Sequence, residues 1–137
     1  MTRVHIHISV DDLEASTKFY SDLFGENPTV SKPNYSKWDL ADPALNFAIS
    51  DMADRSAGLN HVGIQASSAE ELNILYKRLS NADYSTLDEQ DANCCYARAD
   101  KHWVVDPSGV VWEMFHTMGE IETYGEDRGA TIDPLVK

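Results

Sequence analysis

Val4-His5-Ile6-His7-Ile8-Ser9-Val10, running into Asp11-Asp12-Leu13-Glu14, is the stretch that decides the fold. Val4, Ile6, Ile8 and Val10 alternate with His5, His7 and Ser9, so a strand turns its aliphatic residues to one face and its imidazoles to the other. The acidic run then offers a helix N-cap, with Glu14 three residues after Asp11. Leu13, Ser16, Tyr20, Leu23 and Phe24 follow at helical spacing as far as Gly25. The pattern predicts a capped amphipathic helix packed on the aliphatic face of the strand.

The same phrase returns 56 positions later. His5 falls on His61, Ile8 on Ile64, Glu14 on Glu70, Tyr20 on Tyr76 and Leu23 on Leu79, and Ser67 with Glu70 repeats the cap. Strand-like runs bounded by turn residues follow each helix: Tyr35 to Leu40 and Leu45 to Ile49, then Tyr96 to Val105 and Val110 to His116. Each half reads β-α-β-β-β, with one of its three later strands weakly marked. The expected organisation is a single α+β domain of two such modules. Module one covers 3–51, a linker 52–58, module two 59–118, and an acidic tail or covering segment 119–137.

The chain has 137 residues, enough for a core that needs no metal or disulfide to fold. Eleven basic residues against 23 acidic ones leave a net charge of -12, which argues against nucleic acid and anionic membranes as partners and for a small molecule or a cation. No apolar run approaches a membrane span, and the first residues pass straight into a strand pattern, so a soluble cytoplasmic protein is expected.

On the polar face of the repeated strand, His5 and His61 hold matching places. If the modules pack with pseudo-twofold symmetry, the two imidazoles face each other across a concave surface. In the last strand Glu113 shares a face with Val111 and Phe115, where a carboxylate needs a cation or strong donors. Two histidines and one carboxylate are the ligand type that leaves open positions on divalent iron, and zinc, nickel or manganese can use it too. The matching stretch of module one, Leu45 to Ile49, contains no carboxylate or histidine, so a position remains for water, oxygen or substrate. A strand histidine is ordinarily just a polar residue; the repeat is what singles out His5 and His61. His7, on the face of His5, is the candidate for supporting a ligand or substituting for one, while His102 and His116 read as structural or surface residues.

The only two cysteines, Cys94 and Cys95, are adjacent and cannot staple distant parts of one chain. Paired thiolates capture thiophilic species such as trivalent arsenic or cadmium. Neighbouring side chains of a regular strand point apart, so joint capture requires a loop or bulge here.

Taken together, His5 ahead of Asp12-Leu13-Glu14, the helix end Phe19 to Gly25, Leu59-Asn60-His61-Val62-Gly63, and Asp106-Pro107-Ser108-Gly109 leading to Trp112-Glu113 resemble the vicinal oxygen chelate superfamily. That superfamily includes glyoxalase I, bleomycin-resistance proteins and extradiol dioxygenases, and its paired βαβββ modules form a metal-bearing cup. Asn93-Cys94-Cys95-Tyr96-Ala97 with Asp100-Lys101-His102-Trp103-Val104 is similar to the branch containing the arsenic-inducible carbon-arsenic lyase and the cadmium-induced protein.

The resemblance implies an iron(II)-dependent, dioxygen-using cleavage of the carbon-arsenic bond of trivalent organoarsenicals, by a monomer or homodimer. His5, His61 and Glu113 would be the catalytic metal ligands, with Cys94 and Cys95 binding the arsenic. Some relatives carry further cysteines near the C-terminus, and Thr117 to Lys137 has none. The competing readings are a non-catalytic cadmium- or arsenite-binding protein and another metal-dependent enzyme of the glyoxalase type.

Overall fold

The computed structural model describes residues 1–94 and 97–120, the side chains at 91–94, 97, 119 and 120 excepted. Its elements in chain order are β1 (Arg3–Ser9), α1 (Leu13–Phe24), β2 (Val30–Lys32), β3 (Tyr35–Leu40) and β4 (Leu45–Ser50), then β5 (Gly58–Gln65), α2 (Ala69–Asn81), β6 (Leu87–Cys94), β7 (Ala97–Val105) and β8 (Val111–Glu120). The architecture is α+β, and the two halves repeat the same βαβββ order.

All eight strands form one sheet in the order β2-β3-β4-β1-β5-β8-β7-β6. Within each half the first strand runs parallel to the last, β1 with β4 and β5 with β8, and the halves meet at the antiparallel pair β1–β5. The expected pseudo-twofold therefore lies at this seam, where His7 pairs directly with His61 and His5 with Gly63.

The helices cover one face of the sheet. Ile6, Ile8, Val10, Leu13, Tyr20 and Phe24 pack against the buried Trp38, Leu40, Phe47 and Ile49, and Leu72 and Leu75 of α2 close on Ala66 and Met114. Each fully buried leucine of this kind contributes about 2 kcal/mol. Two apolar positions depart from expectation: Leu23 and Val4 are 63% and 51% exposed, and on α1 it is Tyr20 and Phe24, not Leu23, that pack against the sheet.

The caps sit one residue later than the spacing suggests. Asp12, not Asp11, accepts from the Ala15 N–H at 3.0 Å, and Ser68, not Ser67, accepts from Glu71 N–H at 3.1 Å. Doubled residues, Asp11-Asp12 and Ser67-Ser68, create the ambiguity, and because both caps move together the 56-residue repeat is preserved. Gly25 ends α1 in the left-handed region at φ 71°, which suits a residue without a side chain. The weakly marked strands are β2, only three residues long, and β6. No helix among the described residues is long and apolar enough to cross a membrane.

Candidate metal centre

The face of the sheet turned away from the helices is polar, and it is buried. His5, His7, Ser9, Asn46, Ser50, Asn60, His61, Lys101 and Glu113 all lie there or at its edge, shielded from solvent by the curl of the sheet. Polar groups removed from water this thoroughly must be paired, and their pairing defines the site.

Three electron-pair donors converge at its centre. His5 Nε2 lies 3.2 Å from His61 Nε2, and Glu113 Oε1 lies 3.7 Å from the first and 3.5 Å from the second. Gly63, between His5 on β1 and Glu113 on β8, permits this closeness: a Cβ there would stand 2.3 Å from the Glu113 carbonyl oxygen. The other imidazole nitrogens are already committed. His5 Nδ1 donates to the Asn46 backbone carbonyl and to its Oδ1, each at 3.1 Å, and His61 Nδ1 donates to Asn60 Oδ1 at 2.8 Å. The asparagines are held in turn, Asn46 Nδ2 donating to Gln65 Oε1 at 3.1 Å and Asn60 Nδ2 to Ser9 Oγ at 3.1 Å.

With the hydrogens on Nδ1, both Nε2 lone pairs and a carboxylate oxygen point at one another. That arrangement calls for a cation. Ligand atoms about 2.1 Å from a divalent ion lie about 3–3.5 Å from one another, which is close to the observed spacing. The Asn46 and Asn60 contacts are the outer hydrogen bonds that fix a ligating imidazole's tautomer.

Electrostatics agree with a neutral His5 beside an ionised carboxylate. Burial, reinforced by His61 and opposed by Glu113, lowers the His5 pKa from 6.5 to about 4. Burial, then His61 and His5, likewise hold His7 well below its usual range. Burial by itself would raise the Glu113 carboxyl, but Lys101, then His61 and His5, overcome it and hold it well below the ordinary carboxylate value. Lys101 Nζ donates to Glu113 Oε2 at 2.7 Å, leaving Oε1 turned toward the histidines.

His7 joins His5 and His61 in a buried cluster whose potential ligand atoms lie within 4.8 Å of one another. Its Nε2 is 2.8 Å from Ser50 Oγ, beside the converging trio. His102 bonds Asp88 at 2.8 Å and lies against Tyr76, in keeping with a structural role. Cys95 lies outside the described residues, as does the Cys94 side chain; the Cys94 backbone ends β6 and pairs with Ala97. The tail from 121 onward is outside them too.

A cavity of about 40 Å³ reaches the trio, with His7, Lys37 and Lys101 in its wall. It suits a water or a diatomic molecule more than a whole organic substrate. Lys101, Asn46 and Asn60 were not singled out from the sequence. The signal for Lys101 is visible in hindsight: on β7 it alternates with Ala99 and Trp103, both buried, which is the pattern that marked Glu113.

Against known proteins, residues 2–114 match the model of the Glyoxalase/Bleomycin resistance protein/Dioxygenase superfamily. The chain belongs to this superfamily. Its similar curated relatives include the trivalent organoarsenical cleaving enzyme of Bacillus sp., 42% identical over 89% of this chain and 77% of that protein. The trivalent organoarsenical cleaving enzyme of Thermomonospora curvata is 36% identical over 98% and 90%. The cadmium-induced protein CadI of Mycobacterium tuberculosis is 37% identical over 91% and 82%.

Among solved structures, the Mn(II)-bound glyoxalase from Novosphingobium aromaticivorans superposes with a TM-score of 0.62 at 14% identity, over 92% of this chain and 43% of that one. Homoprotocatechuate 2,3-dioxygenase from Arthrobacter globiformis superposes with a TM-score of 0.63 at 20% identity, over 86% and 36%. These likenesses establish the superfamily's cup-shaped fold.

Proposed function

We propose that this protein cleaves the carbon-arsenic bond of trivalent organoarsenicals with dioxygen, using a divalent metal, most suitably iron(II), held by His5, His61 and Glu113. The observation that carries the reading is the convergence of two imidazole Nε2 atoms and one carboxylate oxygen within 3.7 Å, while both Nδ1 atoms are engaged by asparagine oxygens. Relatives at 36–42% identity named as organoarsenical cleaving enzymes supply the substrate class. Zinc, nickel or manganese fits the same donors, and it is the oxygen chemistry that favours iron.

The bound metal would supply activation of dioxygen beside the substrate. The chain does the rest. Asn46 and Asn60 keep the imidazoles in the ligating tautomer, and Lys101 holds one oxygen of Glu113 away from the histidines. Ala48, the β4 residue paired with His7, occupies the pseudo-symmetric counterpart of Glu113, the β8 residue paired with Gly63, and brings no donor. That position therefore leaves the donor set at three. Cys94 and Cys95 would capture the arsenic as thiolates, presenting its organic substituent to the small cavity. For a methyl substituent the atoms balance: methylarsonous acid and one dioxygen yield formaldehyde and arsenous acid, so no external reductant is needed. Both reactants are small molecules, and we place the reaction in the cytoplasm within a single domain built from both modules.

The test is arsenite release and oxygen uptake after anaerobic loading with iron(II), followed by excess methyl- or phenylarsenical in air. Repeated iron-dependent turnovers are expected. Stoichiometric arsenical binding without oxygen uptake would instead favour a sequestering protein, a reading to which the 37% identity to CadI lends weight. Replacement of both cysteines by serine should abolish arsenical capture while leaving metal content unchanged; unaltered capture would reject the thiol role.

A further inference from the structure

Lys101 is a charged group buried inside the cup of a strongly acidic protein. It sits on β7 two residues from Trp103, whose strand partner is Glu113, so its side chain reaches Glu113 across the diagonal of the β7–β8 pair. The ammonium is 2.7 Å from Oε2 and 5.5 Å from the centre of the Trp103 ring. Trp103 is itself fixed, donating from Nε1 to Glu89 Oε1 at 2.8 Å and packing edge-on against His61. Among the described residues lining the cavity, the charged side chains are Lys37, which lies 3.7 Å from Asp39, Lys101 and Glu113. A chain with a net charge of -12 thus buries a lysine beside this polar cavity.

We propose that Lys101 is a positioning and charge-setting residue that confines Glu113 to one ligating oxygen and makes the open side of the centre selective for small anionic donors. This rests on the metal reading given above. The carboxylate has two oxygens, and the bond from Lys101 occupies one of them. Without it, both oxygens are available to the cation and the second competes for the open side. The charge acts separately: a divalent cation, one carboxylate, neutral imidazoles and the Lys101 ammonium leave a net +2, and removing the lysine halves it. An anion entering the cup meets that difference at short range in a poorly screened cavity, worth about tenfold in affinity. A neutral donor of similar size does not.

The experiment uses the full-length protein loaded with cobalt(II), whose visible absorption reports the coordination of the ion. Azide serves as the anionic probe and imidazole as the neutral one, each titrated against the parent and the K101R, K101Q and K101M variants. In K101Q and K101M, azide affinity should fall about tenfold, with imidazole affinity within about twofold of the parent and K101R close to the parent for both. K101Q retains a hydrogen-bond donor without the charge, so it decides the electrostatic part even where K101M does not fold. Equal losses for both probes, or unchanged azide binding in K101Q, would overturn the proposal. A parent protein that shows no cobalt band at all brings down the metal reading itself, and this inference with it.

Discussion

The two walls of the cup are built from the same βαβββ plan and do different work. On the second module's wall stand Glu113 and Lys101, an ion pair beside the histidines; at the matching places on the first module's wall stand Ala48 and Tyr35, which pack against each other with Val30 and Met52. The histidines are shared across the seam, one from each half. Symmetry therefore brings the imidazoles together, and departure from symmetry supplies charge on one side and an apolar packing on the other. A scaffold assembled from two like halves can acquire a directional site by changing a few residues on one of them.

The sharpest way to break this contrast is to strip the charged wall. Glu113→Gln or His61→Ala should lower divalent-metal affinity by at least about 100-fold, more than loss of an outer partner costs, as measured by competition with a chromophoric chelator. Ala48→Ser, the corresponding intrusion on the quiet wall, should leave affinity nearly unchanged; equal losses on both walls would remove the distinction. Placing a carboxylate on the quiet wall is the complementary change. Ala48→Glu should bind the cation at least about tenfold tighter and destabilise the metal-free protein by burying a second charge, while turnover falls because the open side is filled.

Protons offer a test shared by both halves. In the metal-free protein His5 titrates near 4 when folded and near 6.5 when unfolded, so the unfolded chain takes up its proton first as pH falls. The contribution is complete above pH 6.5 and is lost between 6.5 and 4, amounting to about 3 kcal/mol. His7 acts in the same direction, and Glu113, held below its ordinary 4.5, adds its share only at still lower pH. Urea midpoints should follow this course, and His5→Gln should flatten it. The asparagines act at one remove from the ion: Asn46→Ala or Asn60→Ala should each weaken metal binding by about 10–100-fold, less than loss of a ligand, the two variants resembling each other because each frees one imidazole.

Much of this molecule is legible in its sequence because the strand and helix periods are strong and occur twice. The alternation in β1 marks the histidine face, and the 56-residue repeat brings His61 opposite it. The apolar neighbours of Glu113 expose it as a residue in need of a partner. What escapes such reading is whatever depends on the sheet's curl. A flat sheet would leave the histidine face wet, whereas here it is more thoroughly buried than parts of the helix-covered face, where Val4 stands exposed. Lys101 and the two asparagines matter only because that curl removes them from water. Asn46 and Asn60 are ordinary polar residues by type, and their value lies in contacts made across the sheet or fixed by one local rotamer.

The seam between β1 and β5 gives the centre one more property. His5, His61 and Glu113 are far apart along the chain, separated by 56 residues and then by 52. A cation gripping all three acts on the unfolded ensemble as a cross-link does, drawing together long stretches whose closure is entropically costly. Bound there, it would fasten each module to the other at the line where they join. Loss of such an ion would remove this cross-link and leave the β1–β5 ladder to hold the modules together.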